Sequence, residues 1–278
     1  IATMQEHQRY FPVRDAQGKL MPWFITVSNL ESRDPSQVVA GNERVVRPRL
    51  TDAAFFYQTD RQKPLSAHVD ALQRVTFQTQ LGSQHDKSER VRALAKSIAA
   101  TIGSDPALAD RAAELSKCDL LTHMVGEFPE LQGLMGRYYA LHDHEPAEVA
   151  EALREQYLPR FAGDALPATR TGMALSIADK LDTIAGIYAT GQKPTGTRDP
   201  FGLRRAALGL LRTSIEQGLD LDLQQLIRQA VAAARADMAR VAIDQGKPLG
   251  AVDAEKLAVE VYDYVLERLR AYYVEGTA

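Results

Sequence analysis

The sequence predicts a mainly α-helical protein: a helical bundle preceded by a short N-terminal β-hairpin and followed by additional C-terminal helices. Three observations carry this. Apolar residues recur at helical spacing through almost the whole chain after residue 34. Four acid–proline pairs, Asp34-Pro35, Asp105-Pro106, Glu145-Pro146 and Asp199-Pro200, each open such a run, where an acidic N-cap and a proline in the first turn suit a helix start. Only the first thirty residues have a strand-like pattern.

In order, Arg9–Arg14 and Leu20–Ser28 are apolar-rich, and the turn residues Asp15-Ala16-Gln17-Gly18-Lys19 between them make a hairpin. A two-stranded hairpin is marginal by itself, so it must rest on helices. The first helix is expected over Pro35–Gln58, with Pro48 removing a backbone donor and bending or dividing it. Later helices are expected at Lys87–Ile102, Pro106–Gly126, Leu131–Leu141, Pro146–Tyr157, Thr171–Thr190, Pro200–Gln217, Leu221–Ile243 and Ala251–Val274. Gly218 ends the Pro200–Gln217 helix, which divides the chain into a hairpin region 1–33, a helical domain 34–217 and a C-terminal helical segment 218–278.

Composition excludes several classes. With 33 basic against 36 acidic residues and a net charge of −3, the chain is not a general polycation, so any nucleic-acid contact must come from a local patch. No apolar run approaches the roughly 20 residues that span a bilayer, and no signal-peptide pattern opens the chain, so no membrane partner is expected. A single cysteine, Cys118, excludes an internal disulfide and a multi-cysteine zinc site and fits a reducing cytoplasm. There is no Gly-x-Ser-x-Gly, Walker-type or dinucleotide glycine pattern, and no catalytic residue is assigned.

The most informative stretch is Ala174–Arg212. Asp179 and Asp182 lie three apart among Leu175, Ile177, Ala178, Leu181, Ile184, Ala185 and Ile187, so both carboxylates share one side of a helix and one points inward. That helix stops at Gly191. Lys193-Pro194-Thr195-Gly196-Thr197-Arg198 is an exposed loop, and Asp199-Pro200 starts the next helix, from which Arg204, Arg205 and Arg212 project. Arginine forks pair with phosphates without reading sequence, so Lys193, Arg198, Arg204, Arg205 and Arg212 form one candidate RNA-binding group. Arg44, Arg47 and Arg49, around Pro48, form a second. The bland alternative for both is a solvated helix face or ordinary ion pairing. Tyr138 and Tyr139 sit at core spacing with Leu134 and Met135, so packing is favoured over stacking on bases.

The Ala174–Arg212 stretch and four further blocks, Arg9–Pro35, Gly41–Arg61, Leu115–Ala140 and Gln156–Pro167, resemble the β-subunit family of the bacterial two-subunit glycyl-tRNA synthetase. The resemblance covers nearly the whole chain. It implies a cytoplasmic enzyme joining glycine to its tRNA, with ATP and Mg handled by a separate α subunit in an α2β2 heterotetramer and with tRNA recognition largely on β. It also implies that this chain, which opens Ile1-Ala2-Thr3, is an internal piece lacking upstream domains and C-terminal anticodon-binding helices. No cofactor is expected within it.

The helical middle also resembles an HD-type phosphohydrolase, whose bundle holds metal through a His, an adjacent His-Asp and a later Asp, so that the metal activates water. On that scheme Lys87 stands at the first His, Cys118-Asp119 at the His-Asp pair, and Asp179 at the last Asp. Two of the four ligands are missing, and no functional metal site is expected. His85-Asp86 is a decoy, with Asp86 read as an N-cap. His123 is read as a core or interface residue, and His142 and His144, flanking Asp143, as a solvated turn. The leading function is therefore a non-catalytic, tRNA-binding and architectural part of the synthetase, and the alternative is a metal-dependent HD-type phosphohydrolase.

Overall fold

Residues 4–5, 9–29, 31–246, 248, 250 and 252–275 are described in a computed structural model. Strands β1 (Phe11–Arg14) and β2 (Leu20–Ile25) open the chain, and a small second pair, β3 (Thr76–Gln78) and β4 (Gly82–Ser83), follows the first helix. The α-helices are α1 (Pro35–Asp60), α2 (Gln84–Thr101), α3 (Pro106–Leu115), α4 (His123–Glu127) and α5 (Leu134–His142). They continue with α6 (Ala147–Glu155), α7 (Arg170–Ala189), α8 (Leu203–Glu216), α9 (Leu223–Asp244) and α10 (Ala254–Glu275). The mainly α architecture with an N-terminal hairpin is as the sequence predicts. Contacts divide the chain into two units, Ile1–Lys63 with Thr122–Gln132, and Pro64–Leu121 with Gly133–Ala278.

In the first unit β1 and β2 pair antiparallel, with Phe11 opposite Ile25 and Arg14 opposite Leu20 across a register irregularity. The Asp15 carboxylate closes the turn by accepting from the Gln17 and Lys19 N–H groups at 3.0 and 2.8 Å, and Gly18 takes φ +78°. Tyr10 anchors the hairpin: its buried ring lies 4.9 Å from Phe24, and its hydroxyl donates to Asn42 Oδ1 of α1 at 2.7 Å. Helix α1 starts where predicted, with the Asp34 carboxylate accepting from the Ser36 and Gln37 N–H groups. It runs unbroken through Pro48, so the expected division does not occur. Pro48 lies on an exposed face, where solvent can satisfy the freed carbonyl. At the far end the buried Asp60 carboxylate accepts from the His123 and Met124 N–H groups, both at 2.9 Å, and so caps α4.

In the second unit α7 is the central helix, packed against α2, α3, α6, α8, α9 and α10. All of it is buried except Arg170, Asp179 and Thr183, which is what a helix apolar on every side requires. Thr169 caps its N-terminus, and the fully buried Glu155 accepts from the Ala168 and Thr169 N–H groups at 2.8 and 3.1 Å, fixing the entry. Gly172 packs against that carboxylate, since a Cβ there would lie 1.9 Å from Glu155 Oε2.

Several boundaries differ from expectation. The single helix expected over Pro106–Gly126 is α3, a 3₁₀ turn Cys118–Leu121 and α4, because Asp119 turns away to cap α5 and Thr122 begins a new helix. Asp86 is not the N-cap of α2. Ser83 is, and Asp86 is the third residue of a capping box, its carboxylate accepting from the Ser83 N–H at 2.7 Å. Helix α8 begins at Leu203, not Pro200, with Gly202 at φ +65° as N-cap. Glu145 caps nothing and pairs with Arg111 instead.

Candidate functional site

The four HD-like positions lie in the second unit, and two of them, Lys87 and Asp179, are wired into ion pairs. The Lys87 ammonium, on the first turn of α2, reaches α7, where it donates to Asp182 Oδ2 at 3.0 Å, Thr183 Oγ1 at 2.8 Å and the Asp179 carbonyl at 3.2 Å. It lies 3.4 Å from Asp179 Oδ1, while Lys117 approaches the same oxygen at 3.1 Å. On the other side Arg90 grips Asp182, with Nε 2.7 Å from Oδ1 and Nη2 3.2 Å from Oδ2, and extends to Asp237 of α9 at 2.6 Å. Asp182 is fully buried and Asp179 is half-buried, so one of the two carboxylates points inward as expected. Burial alone would raise both carboxyl groups. The cations outweigh it, Lys87 and Arg90 holding Asp182 below the usual range and Lys117 with Lys87 doing so for Asp179.

The other two positions face elsewhere. Asp119 Oδ2 accepts from the Gly133 and Gly136 N–H groups at 2.6 and 3.1 Å, so this carboxylate serves the N-terminus of α5, whose own N-cap is a glycine. Its burial raises its pKa. The Cys118 thiol is buried beside the Glu114 carbonyl, and burial pushes it up to about 12, far from a thiolate ligand near neutrality. A lysine among the ligands, a protonated thiol and a carboxylate committed to a helix terminus do not fit a divalent ion. Among the described residues no group of three or more His, Cys, Asp or Glu is arranged to hold a metal. His123, expected as a core or interface residue, is exposed, its ring stacked 6.2 Å from Phe56, and so it is not in the core. Asp143 accepts from the Leu65 N–H at 2.6 Å, and His142 and His144 are exposed in the turn.

The basic loop after α7 is built by glycines and a local bridge. Gly191 terminates α7 at φ +77°, and Thr195 and Arg198 exchange backbone hydrogen bonds of 3.0 and 2.8 Å around Gly196. The Asp199 carboxylate accepts from the Leu203 and Arg204 N–H groups at 2.8 and 2.9 Å. Arg204 and Arg205 therefore stand in the first turn of α8, the end where the helix dipole disfavours cations. Arg204 donates to the Gly196 carbonyl, whereas Arg198 and Arg205 are exposed. Lys193 pairs with Glu260 and Arg212 with Glu216 at 2.7 Å, so these two are partly neutralised by acids. In the first unit Arg44 is exposed, Arg47 lies 4.0 Å from Glu43, and Arg49 lies 3.2 Å from Glu127. Tyr139 is buried as expected; Tyr138 is not, and is exposed with Arg137 over its ring.

Lys117, Arg90 and Asp182 were not singled out as a set by the sequence. The signal available was Lys87-x-x-Arg90 against Asp179-x-x-Asp182, two complementary pairs at one helical spacing.

A family model described as glycyl-tRNA synthetase beta subunit matches residues 1–278. The chain belongs to that family. Among its relatives, the glycine–tRNA ligase beta subunit of Hahella chejuensis is 55% identical over 276 residues, and that of Chromohalobacter salexigens is 54% identical over 272. That of Pseudomonas fluorescens is 56% identical over 273 residues. Each match takes in 98–99% of this chain and 38% of the relative, so the chain spans well under half the length of these family members. The family accounts for the blocks from Arg9 to Arg212, and nothing in it favours a phosphohydrolase. No helix among the described residues is long and apolar enough to cross a membrane.

Proposed function

We propose that the chain is a non-catalytic, tRNA-binding and architectural part of a glycine–tRNA ligase, the enzyme that attaches glycine to its tRNA. The ATP and Mg chemistry lies on a separate α subunit of an α2β2 cytoplasmic assembly. The β-subunit names of the relatives support a partner subunit and a tRNA substrate. The observation that carries the RNA reading is the placing of Arg204 and Arg205 in the first turn of α8 beside the Arg198 loop. The Asp199 carboxylate already answers the Leu203 and Arg204 N–H groups there, so an incoming phosphate is held by the exposed arginine side chains.

Arg198 and Arg205 are the pair to replace, because Arg204 is tied to Gly196 and Arg212 to Glu216. Alanine at both, in the intact β subunit with α present, is expected to weaken tRNA binding. The slope of log affinity against log salt should fall by about 0.7 for each lost contact to single-stranded RNA. Discrimination between tRNAs should hardly change, since backbone contacts carry no direct sequence information. Unchanged affinity and slope would move the RNA path to another surface. The chain alone is expected to form no glycyl-adenylate, and glycine-dependent pyrophosphate exchange by the purified chain would contradict this.

A further inference from the structure

The Lys87 amine sits in a cage of four oxygens from little more than one turn of α7: Asp182 Oδ2 at 3.0 Å, Thr183 Oγ1 at 2.8 Å, the Asp179 carbonyl at 3.2 Å and Asp179 Oδ1 at 3.4 Å. The Phe77 ring closes another side, its centroid 4.7 Å from Nζ. Two carboxylates, a hydroxyl and a carbonyl are a hard-cation donor set. Yet the spacings are those of ammonium hydrogen bonds, well beyond the ~2.0–2.6 Å of oxygen ligands on Mg²⁺ or Ca²⁺.

We infer that the Lys87 ammonium is the resident cation of this site, supplying the positive charge that a divalent ion supplies in an HD centre, so that the bundle closes without metal. The ion pairing supports the assignment. Lys87, Lys117 and Arg90 face Asp179, Asp182 and Asp237, with the more exposed Arg240 also on Asp237, so each of the three carboxylates is shared by two cations. A divalent ion added to this set would meet three neighbouring positive groups and a cage already filled. A metal in an HD bundle clamps helices through its ligands; here one amine does so, because its stem rises from α2 and all four of its oxygen partners belong to α7. Removing Lys87 leaves Asp179 with Lys117 and Asp182 with Arg90, each short of one cation, around a vacant cage of hard oxygen donors.

The inference stands apart from the RNA reading, since its readouts are metal uptake and stability. The wild-type chain, stripped with EDTA, is titrated with Mn²⁺ by calorimetry and melted with and without it. It should take up no stoichiometric ion, and its Tm should not move. Lys87→Ala should melt lower, bind Mn²⁺, and regain a substantial part of the lost Tm in its presence. Lys87→Ala/Asp182→Asn should lose most of the Mn²⁺ response, because one of the two cage carboxylates is gone. Uptake of about one Mn²⁺ per wild-type chain would overturn the assignment. So would a Lys87→Ala chain that melts with the wild type or that folds and ignores Mn²⁺. If Lys87→Ala folds in neither condition, Lys87→Met, which keeps most of the stem, takes its place in the same titration with the same overturning outcomes.

Discussion

Lys180 shows how much charge the interior of the second unit carries. Its ammonium is buried and donates to the Leu158 carbonyl and Ser176 Oγ, both at 2.7 Å, and to the Gln156 carbonyl at 3.2 Å. Burial pulls its pKa down to about 8, against the opposing pull of Asp179. Because the folded value lies below the unfolded one, the unfolded chain binds more protons between about pH 8 and the ordinary lysine range near 10.4. Stability is therefore penalised below pH 8, and the penalty lifts as pH rises through that window. Urea melts at pH 7.5 and 9.5 should show a smaller loss, or a gain, with pH for the wild type relative to Lys180→Met, and parallel curves would contradict the assignment. At this scale the sequence disclosed an inward carboxylate, because Asp179 and Asp182 share the side of an apolar helix. It did not disclose their partners, since Lys87 and Lys117 are brought to α7 by folding across more than sixty residues.

Elements were more legible than their ends. The acid–proline signal marked α1 and α3 correctly, because Asp34 and Asp105 accept from N–H groups in the first turn. It failed at Asp199, where Gly202 is the N-cap and the aspartate reaches in from outside the helix. The division of the Pro106–Gly126 run was invisible for a related reason: α4 is capped by Asp60, sixty-three residues away, and by Thr122 within a continuous apolar period. Two substitutions test these local accounts. Ser83→Ala removes one half of the capping box and should cost about 1 kcal/mol in chemical denaturation. Gly172→Ala should cost more, because its Cβ would lie 2.9 Å from Glu155 Cβ as well as against the carboxylate, and a neutral result would show that Glu155 can move.

For the whole molecule, a net charge of −3 leaves RNA binding to local geometry. The candidate cations are not equal once folded. Lys193, Arg49 and Arg212 spend charge on Glu260, Glu127 and Glu216, and only the Arg198–Arg205 region combines exposed arginines with a helix N-terminus. Hydrogen exchange of the intact two-subunit synthetase, with and without its tRNA, tests the central claim most directly. The account predicts that tRNA slows exchange in residues 192–206, while the amides of α7 around Asp179 and Asp182 are unchanged. No slowing at 192–206, with protection on another surface of the chain, would contradict it.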